Sequence, residues 1–222
     1  TVLSRSSRLD EALRSVPAVS LFRRTSSAAA NPTTQGISLR AIAPSGAGRT
    51  LVMLDGVPLN DPFGGWVIWS QATPESLESL DVIRGAGSGP YGAGALTGTI
   101  TLRERGKGGA LDVSASERGG LRAAGSGSTR LGPLAVTLSG LREVSDGYVP
   151  VRGPAAGAAD TPLDLDSRSA SLRVDTALGQ ANLSVRAATW EEDRGSGLAG
   201  TRANASGHSP VSYTHLTLPT IC

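Results

Sequence analysis

From residue 110 onward the chain alternates apolar and polar side chains one for one, and no other feature narrows its possible folds as much. Leu111, Val113 and Ala115 oppose Asp112, Ser114 and Ser116, and Leu134, Val136 and Leu138 oppose Ala135, Thr137 and Ser139. Ala170, Leu172 and Val174 stand against Ser169, Ser171, Arg173 and Asp175, and Ala181, Leu183, Val185 and Ala187 against Asn182, Ser184 and Arg186. A weaker run covers residues 121–130. A period of two puts the apolar set on one face of a sheet. Segments of about ten residues with small or polar residues on the other face are the pattern of strands that cross a membrane as a barrel. The connections agree, because Leu131-Gly132-Pro133 and Leu178-Gly179-Gln180 are tight while residues 144–166 form a long stretch rich in Gly, Pro and Ala. Short turns at one end and long loops at the other mark an outer-membrane barrel, whereas a soluble sandwich has no reason to sort its loops by side.

Before residue 106 the pattern is mixed. Leu9, Ala12, Leu13 and Val16 recur at helical spacing, with Asp10 and Glu11 in the first turn and Pro17 as a stop. Residues 37–42 read as a short strand with Arg40 in its middle. Leu51-Val52-Met53-Leu54, then Asp55-Gly56, then Val57-Pro58-Leu59 predicts a hairpin with a type I′ turn. Asp55 is explained by that turn and not by catalysis. Residues 60–69 hold Phe63, Trp66 and Trp69 on Gly64-Gly65, in a chain that is only 4% aromatic, and so suggest a contact surface or a wedge. Thr73-Pro74-Glu75-Ser76 predicts a short helix whose buried face is Leu77 and Leu80. A strand at 80–84 then enters a glycine-dense loop and leaves as a second strand at 99–102. Gly87, Gly89 and Gly92 match G-x-G-x-x-G, but Pro90 interrupts them and a strand, not a helix, follows, so a nucleotide site is disfavoured.

Residues 78–102 carry Val82-Ile83-Arg84-Gly85, Pro90-Tyr91-Gly92, Gly94-Ala95-Leu96 and Gly98-Thr99-Ile100. Upstream stand Gln35-Gly36-Ile37-Ser38-Leu39-Arg40 and the run from Leu51 to Leu59. In this order the three blocks resemble the plug domain of TonB-dependent outer-membrane receptors. The resemblance implies an α+β plug domain followed by part of an antiparallel transmembrane β-barrel, which in such transporters has about 22 strands. It implies active uptake of a scarce ligand such as a ferric siderophore or cobalamin, with TonB, outer-membrane lipid and a small metal chelate as partners. It also implies a TonB box upstream of Thr1. By the same resemblance Arg40 and Arg84 lock the plug to glutamates of the barrel wall, although Ala41 stands where the family usually has glycine. Phe63, Trp66 and Tyr91 are the expected ligand contacts, at two outward apices of the plug.

The expected division is a plug at 1–105, about five barrel strands at 109–207, and a tail at 209–222 that resembles translated adapter sequence. Lys+Arg 21 against Asp+Glu 19 gives a net charge of +2, with no basic stripe for nucleic acid. The single Cys222 with His208 and His215 makes a poor metal site, and no Ser/His/Asp or Cys/His set suggests an enzyme or a resident cofactor. The competing reading is a soluble or surface β-rich binding module, adhesin-like, gripping a polymer through residues 63–69.

Overall fold

The structure is a computed structural model that describes residues 6–21, 23, 25–40, 49–85 and 94–216, with side chains to residue 214. Helix α1 (Leu9–Arg14) buries Leu9, Ala12 and Leu13 on one face. It ends where the Ser15 hydroxyl and amide both donate to the Ala12 carbonyl, at 2.8 and 3.2 Å, so it stops before the turn that Pro17 would have ended. Strands β1 (Val19–Leu21) and β2 (Ile37–Leu39) pair antiparallel, Val19 opposite Leu39. Arg40 lies just past this pair, its backbone at φ 58°, and its amide donates to Ala18 O at 2.7 Å. It is a turn residue and not the mid-strand residue that the alternation suggested.

The main sheet of the N-terminal domain contains β3 (Thr50–Leu54), β4 (Val57–Pro58), β5 (Leu77–Arg84) and β6 (Gly98–Glu104), in the order β4-β3-β6-β5. Strand β3 runs parallel to β6, and the other two pairings are antiparallel. Asp55 (φ 49°) and Gly56 (φ 86°) both occupy the left-handed region, with Leu54 opposite Val57, so the type I′ turn is present as expected. Being central, β3 is buried on both faces. Val52 and Leu54 join Leu9, Leu13, Ile37, Val67, Trp69, Leu77, Ile100 and Leu102 in the main core, while Leu51 and Met53 pack with Ala95 behind it. The helix expected after Thr73 is a single 3-10 turn, Pro74–Ser76, and Leu77 and Leu80 belong to β5. From Gly94 the chain runs into β6, antiparallel to β5. Gly87, Gly89, Pro90, Tyr91 and Gly92 lie outside the described residues, as does Ala41.

Six strands follow in one antiparallel meander: β7 (Gly108–Ser116), β8 (Gly120–Leu131), β9 (Leu134–Ser145), β10 (Leu165–Leu178), β11 (Ala181–Gly195) and β12 (Arg202–Leu216). The sheet is open, with β7 and β12 at its edges. Gly132 (φ 62°) and Gly179 (φ 63°) each take the first central place of a two-residue turn at one end, which is the type II′ arrangement. Residues 117–119, 146–164 and 196–201 connect the strands at the other end. Outward stand Leu111, Val113, Leu121, Leu138, Leu172 and Val185, all more than 40% exposed. Inward stand Arg122, Thr137, Ser167, Ser171, Ser184, Arg186 and Arg194, all buried against the N-terminal domain.

Strand β12 is one more than the sequence pattern indicates, and residues 209–216 complete it. Register sets Pro210, Ser212 and Thr214 beside Ala187, Val185 and Leu183 on the outward face, and Val211 and Tyr213 beside Arg186 and Ser184 on the inward face. This inverts the pattern of the five strands before it, which is why alternation did not reveal it.

Gly98, at φ 145°, opens β6 where a Cβ would lie 2.2 Å from Ile83 O and 2.5 Å from a Leu39 methyl. The Gly98→Ala change should therefore destabilise the domain by about 3 kcal/mol or more, from strain plus overpacking. At Gly56 a Cβ meets nothing within 4 Å. Gly56→Ala should cost only about 1–2 kcal/mol, for the left-handed backbone alone. Urea unfolding of both variants in the intact protein checks the ranking.

Candidate functional site

The inward face of the six-stranded wall is held to the N-terminal domain by charge, and the carboxylates come mostly from the domain. Glu104, at the end of β6, is 6% exposed. Its Oε1 accepts from Arg186 Nε at 3.0 Å, and its Oε2 faces Arg173 Nη1 at 3.4 Å. The same Arg173 nitrogen donates to Asp55 Oδ2 at 2.9 Å. Asp55 Oδ1 meanwhile accepts the Glu104 amide at 3.2 Å, so one turn residue serves the hairpin, the sheet edge and the wall. Arg173 is completed by Asp175, which accepts from Ser184 at 2.6 Å.

Three further contacts fix the domain along the wall. Glu75 binds Arg122 through both oxygens, at 3.1 and 2.8 Å, and its carbonyl accepts from Ser126 at 2.6 Å. Arg8 reverses the polarity, donating to Glu143 at 3.1 and 3.2 Å. Arg194, 2% exposed, donates to the carbonyls of Ser27 and Ala30 and pairs with Glu192. Gln35 donates to the same two carbonyls from the domain side, so that turn is gripped from both directions.

Inside the domain Asp10 is fully buried and paired with Arg23, and it accepts from Ser27 at 2.7 Å. Burial alone raises its pKa, but the nearby charges of Arg8 and Arg23 and the hydrogen bonds from Arg23 and Ser27 outweigh it and hold the carboxyl below its ordinary 3.8.

The loop at 60–69 is rigid by construction. Asn60 accepts from Val52 N at 2.7 Å and donates to the carbonyls of Thr50 and Gly65, which splices the loop onto β3. Asp61 Oδ1 accepts from the amides of Phe63 and Gly64 at 2.9 and 2.7 Å. The Trp66 ring lies over Gly64, its Cζ3 1.5 Å from where a Cβ would be, so no larger residue fits there. Of the three aromatics, Trp69 is core at 5% exposure, Trp66 is half-buried and Phe63 projects at 98% exposure. A cleft of about 500 Å³ separates this loop from the wall, lined by Asn60, Asp61, Trp66, Ile68, Trp190 and His208 among others. Trp190 lies across the ladder over Gly207, where a Cβ would come within 2.3 Å of its ring.

Tyr91 lies outside the described residues. Arg40 and Arg84 are exposed and make no ion pair among the described residues. The Arg40 guanidinium reaches to 3.9 Å from the Cβ position of Gly85, which places it beside the residue that follows Arg84. Sequence reasoning missed the acids Asp55, Glu75 and Glu104 as wall contacts. Their signal was present in Arg173 and Arg186, two inward arginines on barrel-patterned strands that needed partners. Among the described residues no group of His, Cys, Asp and Glu could hold a metal ion.

Residues 3–99 match the model of the TonB-dependent receptor plug domain. No curated protein sequence matches the chain. Among solved structures it is similar to the siderophore receptor PirA from Pseudomonas aeruginosa, with 19% identity and a TM-score of 0.68 over 96% of this chain and 35% of that one. The ferric yersiniabactin uptake receptor FyuA from Yersinia pestis gives 20% identity and 0.64 over 84% and 29%. The copper transporter OprC gives 19% and 0.62 over 86% and 29%. At these identities the likeness is one of fold, and the chain spans about a third of each structure's length.

Two variants test these buried charges. Glu104→Ala should leave Arg173 and Arg186 buried with too little negative charge and cost about 3–5 kcal/mol, read as a lowered melting temperature of the full-length protein. The folded pKa of Asp10 is depressed, so its contribution is complete above 3.8 and is lost as pH falls through the lower folded value. Asp10→Asn should therefore destabilise strongly at pH 7, and the gap to wild type should narrow on acidification below about pH 4 in urea unfolding series.

Proposed function

We propose that the chain, whose residues 3–99 match the TonB-dependent receptor plug domain, is the plug and first wall strands of an outer-membrane receptor that takes up a scarce metal chelate, of the ferric siderophore or cobalamin kind. The observation that carries this reading is the two-faced wall. Its outward band of Leu111, Val113, Leu121, Leu138, Leu172 and Val185 is exposed, and such a contiguous apolar surface is satisfied by lipid and not by water. A soluble adhesin-like module would have no use for that band. Its inward face is polar and already occupied by the plug, as a gated uptake path requires. The short-turn end then faces the periplasm, where TonB engages a segment N-terminal to the plug, and the long loops face outward.

Within this reading Phe63, Trp66 and Tyr91 contact the ligand. The support is the rigid loop that holds Phe63 out at 98% exposure, because an aromatic fixed in place loses little entropy on binding. Arg40 and Arg84 lock the plug to carboxylates on parts of the wall beyond β12. Two exposed arginines, the Arg40 guanidinium beside the residue that follows Arg84, with no ion pair among the described residues suit that role.

The test uses the full-length receptor in a TonB-competent Gram-negative host. Uptake of a labelled ferric siderophore should depend on TonB and on the proton gradient, and energy-independent diffusion would refute the transport reading. Phe63→Ala, Trp66→Ala and Tyr91→Ala should each weaken ligand binding about tenfold with nearly unchanged melting temperature. A loss of stability with affinity retained would make them structural. The Arg40→Ala/Arg84→Ala double variant should raise ion conductance in planar bilayers.

A further inference from the structure

Between α1, residues 69–74 and strands β8 and β9 lies a cavity of about 20 Å³, lined by Ser7, Arg8, Asp10, Trp69, Ser70, Thr73, Arg122 and Glu143 with the apolar Leu9, Ala72, Pro74 and Leu141. Four side-chain atoms of its lining residues are buried without a hydrogen-bond partner in the protein: Trp69 Nε1, Ser70 Oγ, Thr73 Oγ1 and Arg122 Nε. The four residues are 5%, 4%, 6% and 5% exposed. The Thr73 side chain faces the Ser76 amide in a capping box, but that amide bonds the Thr73 carbonyl at 3.0 Å and the hydroxyl makes no hydrogen bond within the protein. Unpaired buried polar groups are rare because each one forfeits its hydration. Four on residues that line one small cavity point to a shared partner.

We infer that this cavity binds one water molecule that joins plug to wall. The donor and acceptor count closes on water. Trp69 Nε1 and Arg122 Nε can only donate, and a water oxygen accepts two such bonds. Its two hydrogens then go to Ser70 Oγ and Thr73 Oγ1, which can accept. The volume suits a single molecule, and three to four polar partners are what a buried water needs. A halide would also accept from all four groups, but the surrounding charge opposes it. Arg122 is already met by Glu75 and Asp112, Arg8 by Glu143, and Asp10 by Arg23, so no positive charge is left over.

The bound water makes this part of the interface wet beside two direct ion pairs, Arg8 with Glu143 and Arg122 with Glu75. A water-mediated contact holds nearly as well as a direct bond, yet each side can be rehydrated when the surfaces part. The inference rests on cavity geometry and is independent of which ligand the receptor takes.

A crystal structure of the full-length receptor at high resolution, with a second crystal soaked in bromide, tests it. The expected result is one ordered oxygen within hydrogen-bond distance of Trp69 Nε1, Arg122 Nε and at least one of the two hydroxyls, with no anomalous signal at that point. An anomalous bromide peak, or a cavity without density, overturns it. The shape-conserving Thr73→Val variant should keep the fold, lower the melting temperature by a few degrees and reduce the occupancy of that oxygen. Unchanged occupancy and stability in Thr73→Val would remove Thr73 from the site and contradict the four-partner assignment.

Discussion

The structure depends on Glu104, a carboxylate at the end of the last plug strand that lies between two arginines of the wall. Its neighbour in that arrangement, Asp55, is a turn residue whose side chain binds the β6 backbone and Arg173 together. The hairpin turn, the edge of the plug sheet and the second half of the wall are thus coupled through a few buried charges. Removing two ions from water is costly, and their mutual attraction offsets that cost only where geometry and extra hydrogen bonds are good. Arg173 meets Asp55, Glu104 and Asp175, and Asp175 in turn meets Ser184, so the remaining valences are filled.

This coupling explains why neither half is complete alone. The wall strands carry arginines inward that would be solvated, unpartnered and mutually repelling without Asp55, Glu75 and Glu104. They carry leucines and valines outward that nothing in the chain covers among the described residues. The plug has its own core around Val52, Leu54, Trp69, Ile100 and Leu102, but its surface toward the wall is mostly acidic, with Arg8 the exception, and matched to that wall. Polar interfaces of this kind can separate and re-form in water, whereas an apolar one of the same extent would not.

Fold similarity at about 20% identity to receptors with unlike cargo, one of them a copper transporter, has the same origin. Alternation, glycine turns and a few inward charges are enough to build the wall, and many side chains satisfy each requirement. In the 60–69 segment a local framework of Asn60, Asp61 and Gly64 holds an exposed Phe63 steady.

By itself the sequence determined the elements whose cause is local. The type I′ turn at Asp55-Gly56, the two tight turns at Gly132 and Gly179, and the outward sets of β7 to β11 follow from φ > 0 chemistry and a period of two, which need no distant partner. The burial of Leu9, Ala12 and Leu13 follows from helical spacing. Tertiary structure decided the rest. Whether Trp66 or Trp69 is core depended on what lies above the loop, and Leu77 joined a strand because β6 offered it a ladder. Asp10 and Glu75 stand in the sequence as acids at helix starts and Glu104 carries no local signal, until the fold sets Arg23, Arg122, Arg173 and Arg186 beside them. Pairing between charges tens of residues apart leaves no periodic trace in a sequence, because its energy depends on three-dimensional distance and burial, and only the packed chain supplies those.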